Sequence, residues 1–243
     1  MRVAVISDIH ANLTALQAVL RDIESENCDK VLCLGDYVLA GPQPKETIDF
    51  VRNQDWIAIQ GNTDKLITEY GAEVLAMMQE NYPIMANAIV EDVKELTDDD
   101  KQFLAGLPEG LLLDFEGVNV LMVHGSPRAN NENIMPNMPL EVVEEIINGV
   151  DADLILCGHT HIPCGYQTNS KQTVVNVGSV GRPMTQNPLA CYVLIDFNDG
   201  TFTIKHKFVD YDRNFAAQLI VDRGFDGAEK LAELLINPVS RHV

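Results

Sequence analysis

Short apolar runs, each cut off by a polar loop, recur along this chain and set its elements. Residues 3–6 form the first run and Ser7-Asp8-Ile9-His10 follows it at once. Over residues 12–23 the period changes, and Leu13, Leu16, Val19, Leu20 and Ile23 fall on one face of a helix. Strand, polar loop and helix in that order open a βαβ unit. Residues 31–34 predict a second strand ended by Gly35-Asp36, and residues 45–52 a helix after Pro44. Residues 56–60 predict a third strand, ended by Gly61-Asn62-Thr63-Asp64. Three times, then, a strand delivers a side chain able to bind a metal to a loop.

From 65 to 107 the pattern is helical, with Met77, Met78, Met85, Ile89, Val93 and Leu96 as apolar contacts; the methionines read as core filling. Thr97-Asp98-Asp99-Asp100 reads as a capping box for a helix through Leu104, with the acids suited to its first turn. Residues 111–115 and 118–123 alternate around Glu116-Gly117 as a hairpin, and the second ends in His124-Gly125-Ser126-Pro127-Arg128. A helix over 140–147 precedes the apolar run 154–156, which Cys157-Gly158-His159-Thr160-His161 closes. Strands follow at 173–177, 190–197 and 201–209, the last two turned by Asn198-Asp199-Gly200. Helices at 214–222 and 227–236 close the pattern, and the tail after Pro238 is expected to be mobile. One domain over 1–243 is the expected organisation, with a helical insert at 65–107 as the alternative division.

Composition narrows the function. Hydrophobic residues make up 46%, which fits a globular chain. No apolar stretch nears the roughly 20 residues that cross a bilayer, so no membrane association is expected. With 36 acids against 17 bases the formal charge is −19, which argues against a nucleic-acid groove. A small phosphorylated substrate stays open, because bound divalent cations reverse the local field. Five cysteines without a Cys-x-x-Cys pair, three of them inside apolar runs, point to reduced thiols and a cytoplasmic home.

His159 and His161, taken alone, read equally as surface histidines after a strand or as metal donors. The other strand ends decide. Asp8, His10, Asp36, Asn62 and His124 join them as a mixed nitrogen and oxygen set suited to Mn, Fe, Zn, Co or Ni ions. Seven donors exceed one tetrahedral site and fit two ions sharing a carboxylate, about 3.5–4 Å apart.

In their order, Asp8-Ile9-His10, Gly35-Asp36, Gly61-Asn62-Thr63-Asp64, Val123-His124 and Gly158-His159-Thr160-His161 resemble the five motifs of calcineurin-like metallophosphoesterases. The likeness runs from residue 3 to about 183 and is strongest to the small bacterial and archaeal phosphodiesterases of that superfamily. Residues 176–183 resemble its late glycine-rich segment, with Val177 in place of the usual proline. The resemblance implies an α/β fold, a four-layer sandwich of two mixed β-sheets flanked by helices. It implies one ion on Asp8, His10, Asp36 and His161, and a second on Asp36, Asn62, His124 and His159, with Asp36 as bridge. A bridging hydroxide would then attack phosphorus in line, so the catalytic residues are Asp36, Asn62 and His124 acting through metal-activated water.

Thr63 stands where most of the superfamily has a histidine that helps protonate the leaving group. A threonine hydroxyl is a poor acid near neutral pH, so good leaving groups are expected, with Asp64 or water as the remaining proton source. Asn12, Arg128 and Arg182 are candidate phosphate contacts; Asn12 also reads as a helix cap and the arginines as surface charges. His206 and His242 are given no role. The expected activity is phosphodiester hydrolysis, with dinucleoside polyphosphate hydrolysis or protein phosphatase activity as near rivals. A metal-bound scaffold without catalysis is the rival of another class.

Overall fold

The strand Arg2–Ile6 (β1) enters the fold as the middle of a five-stranded sheet. In the computed structural model, which describes residues 1–240, it pairs in parallel with Lys30–Cys33 (β2), and β2 pairs in parallel with Ile57–Ala58 (β3). On its other side β1 runs antiparallel to Ala190–Asn198 (β9), which pairs with Thr201–Val209 (β10). The second sheet holds Gly110–Phe115 (β4), Val118–Val123 (β5), Leu154–Cys157 (β6), Thr173–Asn176 (β8) and Cys164–Gln167 (β7), in that spatial order. Strands β5, β6 and β8 are parallel to one another; β4 and β7 are antiparallel edges.

Alternation along each strand decides what each layer buries. Val3 and Val5 of β1 face Leu154 and Leu156 of β6 across the gap between the sheets, while Ala4 and Ile6 point into the helical layer. Ile155 and Cys157, on the other face of β6, pack against Val143 and Ile146 of Leu140–Ile146 (α7). Helix, sheet, sheet and helix thus form four layers around two mixed sheets, as the sequence led us to expect. Each of these fully buried aliphatic side chains stabilises the fold by about 1.5–3 kcal/mol relative to exposure.

The helices Leu13–Ser25 (α1) and Pro44–Val51 (α2) cover the first sheet, and Asn12 caps α1 by accepting from the Ala15 N–H at 3.0 Å. The expected helical stretch 65–107 consists of Asn62–Thr68 (α3), Ala72–Asn81 (α4), Pro83–Glu95 (α5) and Asp98–Ala105 (α6). It starts three residues early, because Asn62 is already helical, and Pro83 separates α4 from α5. The capping box on α6 forms: Thr97 Oγ1 accepts from the Asp100 N–H at 3.2 Å and the Asp100 carboxylate from the Thr97 N–H at 2.9 Å. Arg213–Asp222 (α8) and Ala228–Ile236 (α9) end the described chain.

Strand β3 is shorter than the expected 56–60 because it is a sheet edge with a partner on one side only. Strand β7 was not expected at all; its glycine and alternating half-exposure leave no apolar run to read. His242 and the end of the tail expected to be mobile lie outside the described residues.

Candidate metal centre

Six parallel strands from the two sheets end at one rim of the sandwich, and each of the motif side chains leaves from such an end. The chain must turn sharply there. Asp8, His10, Asp36, His159 and His161 all have positive φ, between 47° and 65°, a conformation that L-residues other than glycine seldom adopt. Such residues persist only where the surroundings hold them. Here neighbouring loops do so: the Asp8 N–H donates to the Gly35 carbonyl and the His10 N–H to that of Asp36, while the Gly158 N–H donates to the His124 carbonyl. The loops approach so closely that a Cβ on Gly158 would meet Ser7 Oγ at 2.2 Å and Asp8 Oδ2 at 2.5 Å.

The result is one buried cluster. Ligand atoms of Asp8, His10, Asp36 and His161 lie within 4.8 Å of one another, all buried. Beside them Asn62 Oδ1 sits 3.0 Å from His124 Nε2 and 2.7 Å from His159 Nδ1. Asp36 Oδ2 lies between the groups, 3.6 Å from His10 Nε2 and 3.3 Å from His124 Nε2. All seven sequence candidates therefore converge on one place.

Backbone carbonyls orient the rings. His10 Nδ1 is 3.1 Å from the Leu39 oxygen, His124 Nδ1 2.7 Å from that of Leu34, and His161 Nδ1 2.5 Å from that of Arg182. Assigned from these bonds, each Nδ1–H donates outward and each Nε2 points into the cluster, as metal-binding histidines are held.

Electrostatics tests whether a cation fits. Burial pushes the His10 and His159 imidazoles down to about 4. Burial also acts against charge on His124, but Asp36 and Asp8 outweigh it and lift that ring to about 10. Asp36 and Asp8 are themselves pushed up by burial and brought below the usual carboxylate range by His124 and His161 respectively. Two carboxylates in a dry site thus require positive charge. Asp8 Oδ1 is buried, with only His161 Nε2 close by at 3.1 Å. His10 and His161 face each other Nε2 to Nε2 at 3.1 Å, an approach of lone pairs that a shared cation relieves. The donor set fits divalent metal.

The remaining candidates fare differently. Thr63 lines the cleft, but its Oγ1–H donates to the Val38 carbonyl at 3.0 Å and its N–H to Asp36 Oδ1 at 2.8 Å. Asp64 is fully buried, and its carboxylate accepts the N–H groups of Asp36, Tyr37 and Gly61. Burial and the nearby Asp36 push it up to about 7, against the pull of those donors. Asn12 spends its amide on the α1 cap, the Gly181 carbonyl and Tyr211 Oη. Arg182 lines the cleft, whereas Arg128 is held by Glu132 and Glu145 and is not among the lining residues. His206 donates its Nε2–H to the Asn176 carbonyl, 2.8 Å away, outside the cluster.

The late segment 176–183 turns out to brace the first metal loop: Ser179 Oγ donates to the Asp8 carbonyl and the Val180 and Gly181 N–H groups to those of Ser7 and Asp8. Only glycine fits at 181, where a Cβ would lie 1.7 Å from the Ile9 oxygen. The methionines need a correction. Met78 is core, but Met77 is 42% exposed, and Met77, Met85 and Met184 line a cleft of about 890 Å³ that opens onto the cluster.

Comparisons with known proteins agree with this geometry. Residues 1–200 match the calcineurin-like phosphoesterase superfamily domain. An uncharacterized protein of Methanocaldococcus jannaschii is 32% identical over 233 residues, covering 90% of this chain and 91% of that protein. The crystal structure of a metallophosphoesterase from Sphaerobacter thermophilus matches with a TM-score of 0.79 at 28% identity, over 98% of this chain and 99% of that one. A hypothetical protein from Pyrococcus horikoshii OT3 shares the fold with a TM-score of 0.86 at 24% identity, over 99% of both chains.

Proposed function

The chain belongs to the calcineurin-like phosphoesterase superfamily, and from that premise we propose that its cleft hydrolyses phosphodiesters with two divalent cations. Asp8, His10, Asp36 and His161 hold one, and Asp36, Asn62, His124 and His159 the other. The observation that carries this reading is the place of Asp36 Oδ2, within 3.6 Å of His10 and 3.3 Å of His124, where one carboxylate serves both groups. Bound there, the cations supply the charge that acidifies water near neutral pH and neutralises the phosphoryl oxygens.

The protein's own residues do the rest. Asn62 offers a neutral amide oxygen, which leaves the pair of cations net positive for an anionic substrate. The His10, His124 and His161 rings are held by backbone carbonyls before substrate arrives, so these three need no reorganisation when charge develops. Arg182, at the rim, contacts the phosphoryl group. The Thr63 hydroxyl donates its hydrogen bond to the Val38 carbonyl and Asp64 is closed in by three N–H groups, so water protonates the leaving oxygen. Esters whose leaving group needs little help are therefore preferred. Five cysteines with no disulfide between them favour a reducing, cytoplasmic setting.

The test uses purified protein with Mn²⁺, bis(4-nitrophenyl) phosphate and 4-nitrophenyl phosphate, beside Asp36→Asn. The diester is expected to turn over faster than the monoester, with activity falling to background in the variant. A metal-loaded protein that hydrolyses neither ester would instead support the scaffold reading.

A further inference from the structure

We propose that the cleft beside the Asp/His cluster seats a flat aromatic group carried by the phosphoester, an inference that rests on the phosphoesterase reading above. At about 890 Å³ the cleft is in the range of sites for whole organic ligands, and a phosphoryl group on its cations fills a small part of it. Part of its wall is made of large apolar side chains, beside polar ones that include Glu69 and Glu109. Met77 of α4 and Tyr82, which follows that helix, are 42% and 61% exposed, and Met85 of α5 and Met184 of the late loop complete the surface with Leu66. Large apolar side chains gathered in an open cleft next to buried charges mark a binding surface rather than stray exposure.

The wall and the cluster are joined through a single residue. The Arg182 carbonyl accepts from His161 at 2.5 Å, and Arg182 Nη1 lies 3.5 Å from Met85 Sδ. The substituent of a phosphoester held at the cluster would extend along Arg182 toward the methionines. Their chemistry selects a ring over a saturated chain. Thioether sulfurs make favourable contacts with aromatic edges and adapt to their outline, and the Tyr82 ring adds a face or edge for stacking. Asn131, also in the lining, meets polar atoms on the ring or its linker, while Lys65 is paired with Glu109 at 2.7 Å. An aryl ring and a nucleobase share this chemistry.

Binding separates the inference from catalysis. Calorimetry on the Mn²⁺-loaded protein compares phenylphosphonate with methylphosphonate, and adenosine 5′-monophosphate with ribose 5-phosphate. The aromatic member of at least one pair is expected to bind tighter by about tenfold or more, from the ring area removed from water. Preference in the first pair alone identifies an aryl group, and in the second a nucleobase. In Met77→Ala/Tyr82→Ala, both exposed positions, the ratio falls to within about twofold; Leu112→Ala, exposed on β4 outside the cleft, keeps it. Methylphosphonate binding with no aromatic preference, or a preference that survives the double variant, overturns the aromatic seat while leaving the phosphoesterase reading intact. Failure of every phosphorylated ligand to bind overturns both.

Discussion

Thr63 is the residue on which this protein's choice of ester turns. Its hydroxyl donates to the Val38 carbonyl although the side chain borders the cleft, so it offers no proton to a leaving group. Placing an imidazole there, in Thr63→His, is expected to raise turnover of an alkyl phosphomonoester by about 10²-fold, at the lower end of what general acids contribute, with little change for the 4-nitrophenyl esters, whose leaving group needs no acid. Steady-state rates on glycerol 1-phosphate and 4-nitrophenyl phosphate read this directly, and an unchanged alkyl monoester rate contradicts it. Gly158 tests the close approach of the loops. A Cβ there would sit 2.2 Å from Ser7 Oγ and 2.5 Å from Asp8 Oδ2. Gly158→Ala is expected to cost about 1–3 kcal/mol, as overpacking does, and to weaken Mn²⁺ binding; denaturant melts and metal titration measure the two losses. The seven donors were legible as residues because each stands directly after an apolar run, often behind a glycine. The carbonyls of Leu34, Leu39 and Arg182 that aim the rings were not, since a backbone oxygen has no letter.

Helices carry the supports that lie behind the loops. Asp92 of α5 accepts the Leu39 N–H at 2.8 Å, the Leu39 carbonyl holds His10, and Arg223 after α8 pairs with Asp92 at 2.7 Å. Arg223 also donates to the Gly41 carbonyl, so α5 and α8 together fix the strained 39–41 turn. Asp92→Asn is expected to weaken Mn²⁺ affinity by about tenfold, as loss of an outer support does, while Asp100→Asn leaves it unchanged. The second variant has its own signature. Burial raises the Asp100 carboxyl, but the Thr97 hydroxyl and N–H and the neighbouring Lys45 outweigh it and hold it below its ordinary value. A carboxyl depressed in the folded state contributes stability above an unfolded pKa of about 3.9 and loses it as pH falls through the lower folded value. Asp100→Asn should therefore be less stable than the parent at pH 7, and the gap should narrow from about pH 4 downward. Chemical melts at several pH values check the sign. The sequence made the α6 cap readable because a capping box is local, whereas the Asp92 bond spans 53 positions and follows no pattern.

For the molecule as a whole, the order of strand, loop and helix showed the strands and a βαβ opening, because buried parallel strands are written as uninterrupted apolar runs, while the two mixed sheets with helices outside came from the resemblance to calcineurin-like metallophosphoesterases. Strand β7 and the methionine wall escaped for the opposite reason: one lacks such a run, and the other uses the same helical spacing that fills a core. The acidic surface, at −19 formal charge, makes the convergence of seven donors from both sheets all the more dependent on bound cations to draw in an anion. Anomalous diffraction from a Mn²⁺-soaked crystal at the manganese edge tests that convergence most directly. Two peaks about 3.5–4 Å apart, both within bonding distance of Asp36, are expected. A single peak in the rim, or two peaks that do not share Asp36, would contradict it.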